Sequence, residues 1–292
     1  MSNTSFTHKL SHYYSIIKSA IRGDDYDFTT IDLRKAVILL SIPMMLELAL
    51  ESVFAVVDIY FVNKLGKHAG SAVGLTESVI TIVYSVGIGL SSAATAMVAR
   101  RVGEKNLDGA AHAGAQSILL AVVTSVLLGI PGFIFADDIL RLMHAQPEVI
   151  EMGTTYARIM FGGNVIIILL FLINGIFRGA GNASIAMKSL WIGNIFNIVL
   201  DPLFIFGIAF FPEMGVTGAA IATTTGRAVG ILYQVYHLRR STGLLKIKLH
   251  HFKPDLRIIK GLVGIASPAT FQFIIASGSW IILSAMVAVY GS

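Results

Sequence analysis

The chain has 292 residues, of which 55% are hydrophobic and only 13% charged, with a mean hydropathy of +0.75. Soluble domains carry nearer ~25% charged residues, so this composition excludes a soluble enzyme or regulator and reads as an integral membrane protein. The lack of cysteine excludes a disulfide framework, a thiolate metal site and a cysteine nucleophile.

Residues 1–33 have no long apolar core of the kind a cleavable signal peptide needs. Leu10, Tyr13, Tyr14, Ile17 and Ile21 share a helical stripe, with Lys9, Lys18 and Arg22 elsewhere. The pattern fits either an amphipathic segment on the membrane surface or a cytoplasmic tail. The apolar runs that follow predict seven helices, over 36–63, 71–99, 110–136, 149–177, 184–210, 215–238 and 258–290.

Basic residues set the expected orientation. Seventeen lie in the N-terminal segment, in the loops after the second and fourth helices, and in the stretch after the sixth; only Lys64, Lys67 and Arg141 lie in the opposite loops. This asymmetry predicts a cytoplasmic N-terminus, and it explains the net charge of +5 by topology and lipid headgroups rather than by nucleic acid. Asp32-Leu33-Arg34 before Ser41-Ile42-Pro43 has an imperfect echo in Asp255-Leu256-Arg257 before Ala266-Ser267-Pro268. The expected organisation is therefore a cytoplasmic segment 1–33, a six-helix lobe 34–238, a cytoplasmic linker 239–257 and a helix 258–292 that opens a second copy. The chain then reads as a fragment, with the rest of the second lobe needed for function.

Several groups are unsuited to lipid. Glu47, Glu51 and Asp58 fall on one stripe of the first helix, Glu51 about 40° and Asp58 about 20° from Glu47. Each would cost roughly 2.5–3.5 kcal/mol facing lipid at a helix centre, so the stripe must face protein or water. The fifth helix carries Asn194, Asn197 and Asp201, the second Glu77, the fourth Arg158, and the sixth Thr223, Thr224, Thr225 and Arg227. With the orientation above, Asp58, Asn197, Asp201, Glu77 and Thr223 share the outer half of the membrane. Two carboxylates with neutral Asn and Thr oxygens suit Na⁺ as a metal-ion site, and the same acids suit H⁺; permanent pairing with Arg158 and Arg227 is the structural alternative. Glu47, Glu51 and Glu77 are candidates for cavity or proton-relay residues. Pro43 reads either as a hinge or as a static kink. Gly87-Ile88-Gly89 and Gly162-Gly163 read as close helix packing. Tyr84, Met160, Phe161, Phe171 and Phe177 suit either a cavity for a flat cation or the core.

Pro43 followed by Val57-Asp58 and Asn63-Lys64-Leu65-Gly66, then Gly89-Leu90-Ser91-Ser92-Ala93 with Arg101-Val102-Gly103, resembles the multidrug and toxic compound extrusion (MATE) transporters. So do Phe177-Arg178-Gly179-Ala180-Gly181-Asn182, Asn197-Ile198-Val199-Leu200-Asp201-Pro202 and Gly215-Val216-Thr217-Gly218-Ala219-Ala220-Ile221-Ala222-Thr223. The resemblance covers about 35–240. It implies an all-α fold of twelve helices in two six-helix lobes, and exchange of H⁺ or Na⁺ for organic cations or other amphipathic compounds. It also implies a coupling-ion site at Asp58, Asn197, Asp201 and Thr223 with a bending point at Pro43. One branch of the family places a coupling glutamate where this chain has Ala276, and Glu47 and Glu51 are additional acids. The expected cofactor is none beyond the coupling ion, and the expected partners are membrane lipids and small amphipathic or cationic substrates, with no nucleic acid. The expected location is the plasma membrane, or the inner membrane of a Gram-negative cell. A flippase for lipid-linked precursors and an inactive half-transporter are the alternatives. No His-Glu-x-x-His or Gly-x-Ser-x-Gly motif argues for an enzyme.

Overall fold

The computed structural model describes residues 14–24, 26–28, 30–208, 210–240 and 245–289, and all regular structure among them is helical. Helix α1 runs over 14–22. It is followed by α2 (Leu33–Asn63), α3 (Lys67–Gly103), α4 (Leu107–Ile134), α5 (Ala136–Leu142), α6 (Pro147–Gly162), α7 (Asn164–Gly179), α8 (Ala183–Ile205), α9 (Gly215–Arg240) and α10 (Leu256–Val289). Asp32, Asn106 and Asn182 cap α2, α4 and α8, their side-chain oxygens accepting from Arg34 N, Gly109 N and Ile185 N.

α2, α3, α4, α8 and α10 are long and apolar enough to cross a membrane; α6 and α7 together make a sixth span, bent by 43° at Gly163. The single fourth helix expected from sequence is thus two, and Gly162-Gly163 marks the break as well as a close approach: a Cβ on Gly163 would meet Thr224 Cγ2 at 3.0 Å. The seven expected spans exceed this set by α9, whose polar Thr223, Arg227 and Gln234 are turned into the protein. α5 was not expected as a separate helix. The helix expected over 184–210 ends at Ile205, beyond which Gly207 has φ +66°.

The Gly87-Ile88-Gly89 stretch packs as predicted, with Gly89 against Ala266 and Thr270 of α10. α1 docks through Ile16 and Ala20 onto Leu39, Phe28 and Ile42. Tyr14 and Ile17, part of the expected stripe, point outward because that packing selects the adjacent face; Leu10 and Tyr13 lie outside the described residues. Between α9 and α10, a single 3₁₀ turn at Leu249–Phe252 lies on α4. Gln116 holds it: Nε2 donates to the carbonyls of His251 and Lys253, both at 2.8 Å, and Oε1 accepts from Asp255 N at 3.0 Å. His251, buried, reaches Asp108 Oδ1 at 3.0 Å and accepts from Lys248 N.

Candidate functional site

α8 and α9 pack most extensively, because two glycines let their backbones meet. A Cβ on Gly226 would stand 2.5 Å from Gly193 O, and one on Gly193 would stand 2.9 Å from Gly226 O. One turn beyond Gly193 lies Asn197, and one turn before Gly226 lies Thr223. Asn197 Nδ2 donates to Thr223 Oγ1 at 3.0 Å and to Asp201 Oδ1 at 3.3 Å. All three residues are buried.

Asp58 of α2 completes the group, bringing a second carboxyl close enough to interact with that of Asp201. Three oxygens here are buried without a hydrogen-bond partner among the described residues: Asp58 Oδ1, Asn197 Oδ1 and Asp201 Oδ2. All are acceptors. Buried acceptors without donors are costly, and a cation or a proton is what such a cluster lacks.

The group borders a cavity of about 530 Å³ at the end of the bundle where α2 gives way to α3. Its wall includes Glu51, Asp58, Glu77, Tyr84, Tyr156, Phe171, Thr223 and Arg227. Glu77 Oε1 accepts from the Tyr156 hydroxyl at 3.1 Å, and Glu51 Oε2 accepts from Asn194 Nδ2 at 3.1 Å. Arg227 Nη2 stands 3.9 Å from Glu51 Oε1, with its guanidinium 5.2 Å from the Tyr84 ring centre and Nη1 without a hydrogen-bond partner among the described residues. Tyr84 and Phe171 meet edge to face at 6.0 Å.

The structure therefore brings together Asp58, Asn197, Asp201 and Thr223, with Glu51 and Glu77 on the adjoining wall. Glu47 lies apart, one turn earlier on α2, 3.6 Å from Arg178 Nη1. Of the structural alternative of pairing with Arg158 and Arg227, the ion pair within 4 Å among the described residues is Glu51 with Arg227, while Arg158 is exposed and faces Asp137. Of the aromatic set, Tyr84 and Phe171 line the cavity, whereas Met160 and Phe161 belong to the core and Phe177 lies at the opposite end, beside the residues that hold α1. Sequence reasoning missed Tyr156, which lies one turn from Met160 in an ordinary helical pattern. It also missed the Asn174, Ser189 and Gln234 cluster, in which Gln234 Nε2 donates to Asn174 Oδ1 at 2.6 Å and Ser189 Oγ at 3.1 Å. Three polar residues in three apolar runs were the available signal.

The MatE family profile matches residues 43–203. The multidrug export protein MepA of Staphylococcus aureus (strain bovine RF122 / ET3-1) is 25% identical over 268 residues, covering 91% of this chain and 58% of MepA. The probable multidrug resistance protein YoeA of Bacillus subtilis (strain 168) is 29% identical over 255 residues, covering 86% of this chain and 55% of YoeA. Solved structures described as MATE in the straight and in the bent conformation superpose with TM-scores of 0.82 and 0.81 at 31% and 30% identity, each over 94% of this chain and 58% and 59% of theirs. This chain thus spans under two thirds of the length of these relatives. It is a multi-pass membrane protein, and it belongs to the MatE family of transporters.

Proposed function

We propose that the chain supplies the ion-coupling lobe of an antiporter that exports organic cations in exchange for H⁺ or Na⁺. The observation that carries this reading is the set of three acceptor oxygens without a partner among the described residues, on Asp58 at the cavity wall and on Asn197 and Asp201, which are linked to that wall through Thr223. A proton shared by Asp58 and Asp201 would supply the missing donor. Na⁺ would take the same two carboxylates with the Asn197 and Thr223 oxygens as neutral ligands. Either ion neutralises this wall and weakens its hold on an organic cation; by linkage, a bound organic cation weakens the ion to the same degree. Glu51 and Glu77 add negative charge, while Tyr84, Tyr156 and Phe171 offer aromatic faces to a flat cation.

The distribution of basic residues supports an N-terminus and a 239–257 linker in the cytoplasm of a cell whose plasma membrane, or inner membrane if Gram-negative, holds the protein. The ion site then opens outward. The twelve-helix arrangement, with a second lobe supplied beyond the first and α10 as its first helix, belongs to the same proposal. A flippase for anionic lipid-linked cargo fits less well, because three acids face one arginine across the cavity.

The test is efflux of a fluorescent organic cation from cells expressing the transporter that contains this chain. Asp201→Asn should abolish efflux with the protein still inserted; efflux equal to wild type would sink the coupling site. Dependence on added Na⁺ at fixed pH, or on a pH gradient at fixed Na⁺, separates the two ions.

A further inference from the structure

A second acid meets a base outside the cavity, between α2 and α7. Glu47 is 5% exposed; its Oε1 stands 3.6 Å from Arg178 Nη1, and its Oε2 has no hydrogen-bond partner among the described residues. Arg178 is held by the body of the bundle. Its Nη2 donates to Ser91 Oγ at 3.3 Å, and that hydroxyl donates to the carbonyl of Phe171 at 2.7 Å. Gly175 packs on Ser91 so closely that a Cβ there would meet Ser91 O at 2.4 Å, which locks α3 to α7 at this level.

Glu47 belongs to a different mechanical unit. It follows Pro43 by one turn on the same face of α2, and Pro43 has no N–H to donate to the carbonyl of Leu39. That turn is where α2 bends at least cost. Before Pro43, α2 is pinned by α1 through Leu39 and Ile42. α2 as a whole leans chiefly on α8, which bonds it after Pro43 through Trp191 to Leu46 and Asn194 to Glu51, and α7 is not among the helices packed closely against it. The Glu47–Arg178 pair is thus its charged link to the α3–α7 body.

We propose that Glu47 is a proton-operated latch on α2. As a carboxylate it binds Arg178 and holds the segment after Pro43 against the α3–α7 body. When it takes a proton from water the ion pair is lost, Arg178 keeps its own proton, and α2 is released to bend at Pro43. Arg178, with its side chain 18% exposed, can then be hydrated from the rim. The charged groups facing Glu47 are Arg178 from α7 and Glu51 one turn along α2. α3 and α8 present neutral groups there: Ser91, and Trp191, whose Nε1 donates to Leu46 O. The purpose of the latch rests on the transport reading, but its test does not.

The chain contains no cysteine, so a pair introduced at Val56 of α2 and Leu127 of α4, which are 70% and 67% exposed, carries spin labels without background. Distances are read by pulsed electron paramagnetic resonance in detergent between about pH 5 and pH 9. Wild type should change its distance distribution on acidification. Glu47→Gln should show the acid distribution at every pH. Arg178→Gln, which removes the other half of the ion pair, should likewise show the acid distribution at every pH. A wild-type distribution that ignores pH, or a Glu47→Gln profile that follows wild type, overturns the latch. So does loss of the transition in Asp58→Asn with retention in Glu47→Gln, which would assign the movement to the cavity site. Unaltered efflux by Asp201→Asn would sink the antiport reading and leave the latch standing.

Discussion

Gly226 faces the carbonyl oxygen of Gly193 across the α8–α9 crossing with no space for a side chain between them. That approach sets the distance between Asn197 and Thr223. Gly226→Ala places a Cβ 2.5 Å from a backbone oxygen that cannot rotate away, so the helices must separate. We expect a loss of about 1–3 kcal/mol in stability together with weakened cation binding. Thermal unfolding in detergent with and without Na⁺ checks both, and retained protection by the ion would contradict the spacing argument.

Thr223→Val keeps the shape of the side chain and removes the hydroxyl that accepts from Asn197. One neutral oxygen is lost to the ion and a buried amide loses a partner. Ion affinity should fall by roughly tenfold, the equivalent of about 1.4 kcal/mol. Thr223→Ser should behave as wild type in the same titration.

Gln116 makes three hydrogen bonds to the segment on α4. Gln116→Leu leaves two carbonyls and one amide of that segment without these partners, each costing about 1–3 kcal/mol while it stays buried. The segment should therefore detach, and trypsin should cleave after Lys246 or Lys248 faster than in wild type. Gln116→Glu should resemble Gln116→Leu, because a carboxylate cannot donate to the two carbonyls.

Glu104, at the exposed end of α3, accepts from Arg100 and Arg101, both at 2.9 Å, and these hydrogen bonds hold its carboxyl below the usual carboxylate range. A lowered folded-state value means stability that is present above the unfolded value of about 4.5 and is lost as pH falls through the folded one. The difference between wild type and Glu104→Gln should be small at neutral pH, shrink with added salt and vanish in acid. A difference that grows on acidification would reverse the assignment.

Much of this was readable before any coordinates. The acids of α2 could be placed on one stripe because helical spacing and the cost of charge in lipid are independent of tertiary detail. Asp58, Asn197, Asp201 and Thr223 converge as their depth along successive spans required. The 43° bend at Gly163 was not readable, because paired glycines serve equally for a break and for close packing; here they do both. α9 was expected over 215–238 and forms Gly215–Arg240; its polar residues make an inward face, which is why its hydropathy is low. Glu47 shared a stripe with Glu51, yet only the position of Arg178, 131 residues later, separates its surroundings from the cavity.

The fastening of the segment on α4 also limits travel. From Ile247 onward the stretch before α10 lies along α4, and Arg240 ends α9. The seven residue steps between them reach about 25 Å at full extension. Any movement of α10 away from the bundle is therefore leashed at its N-terminal end, and a wider stroke requires the Gln116 clasp to open first.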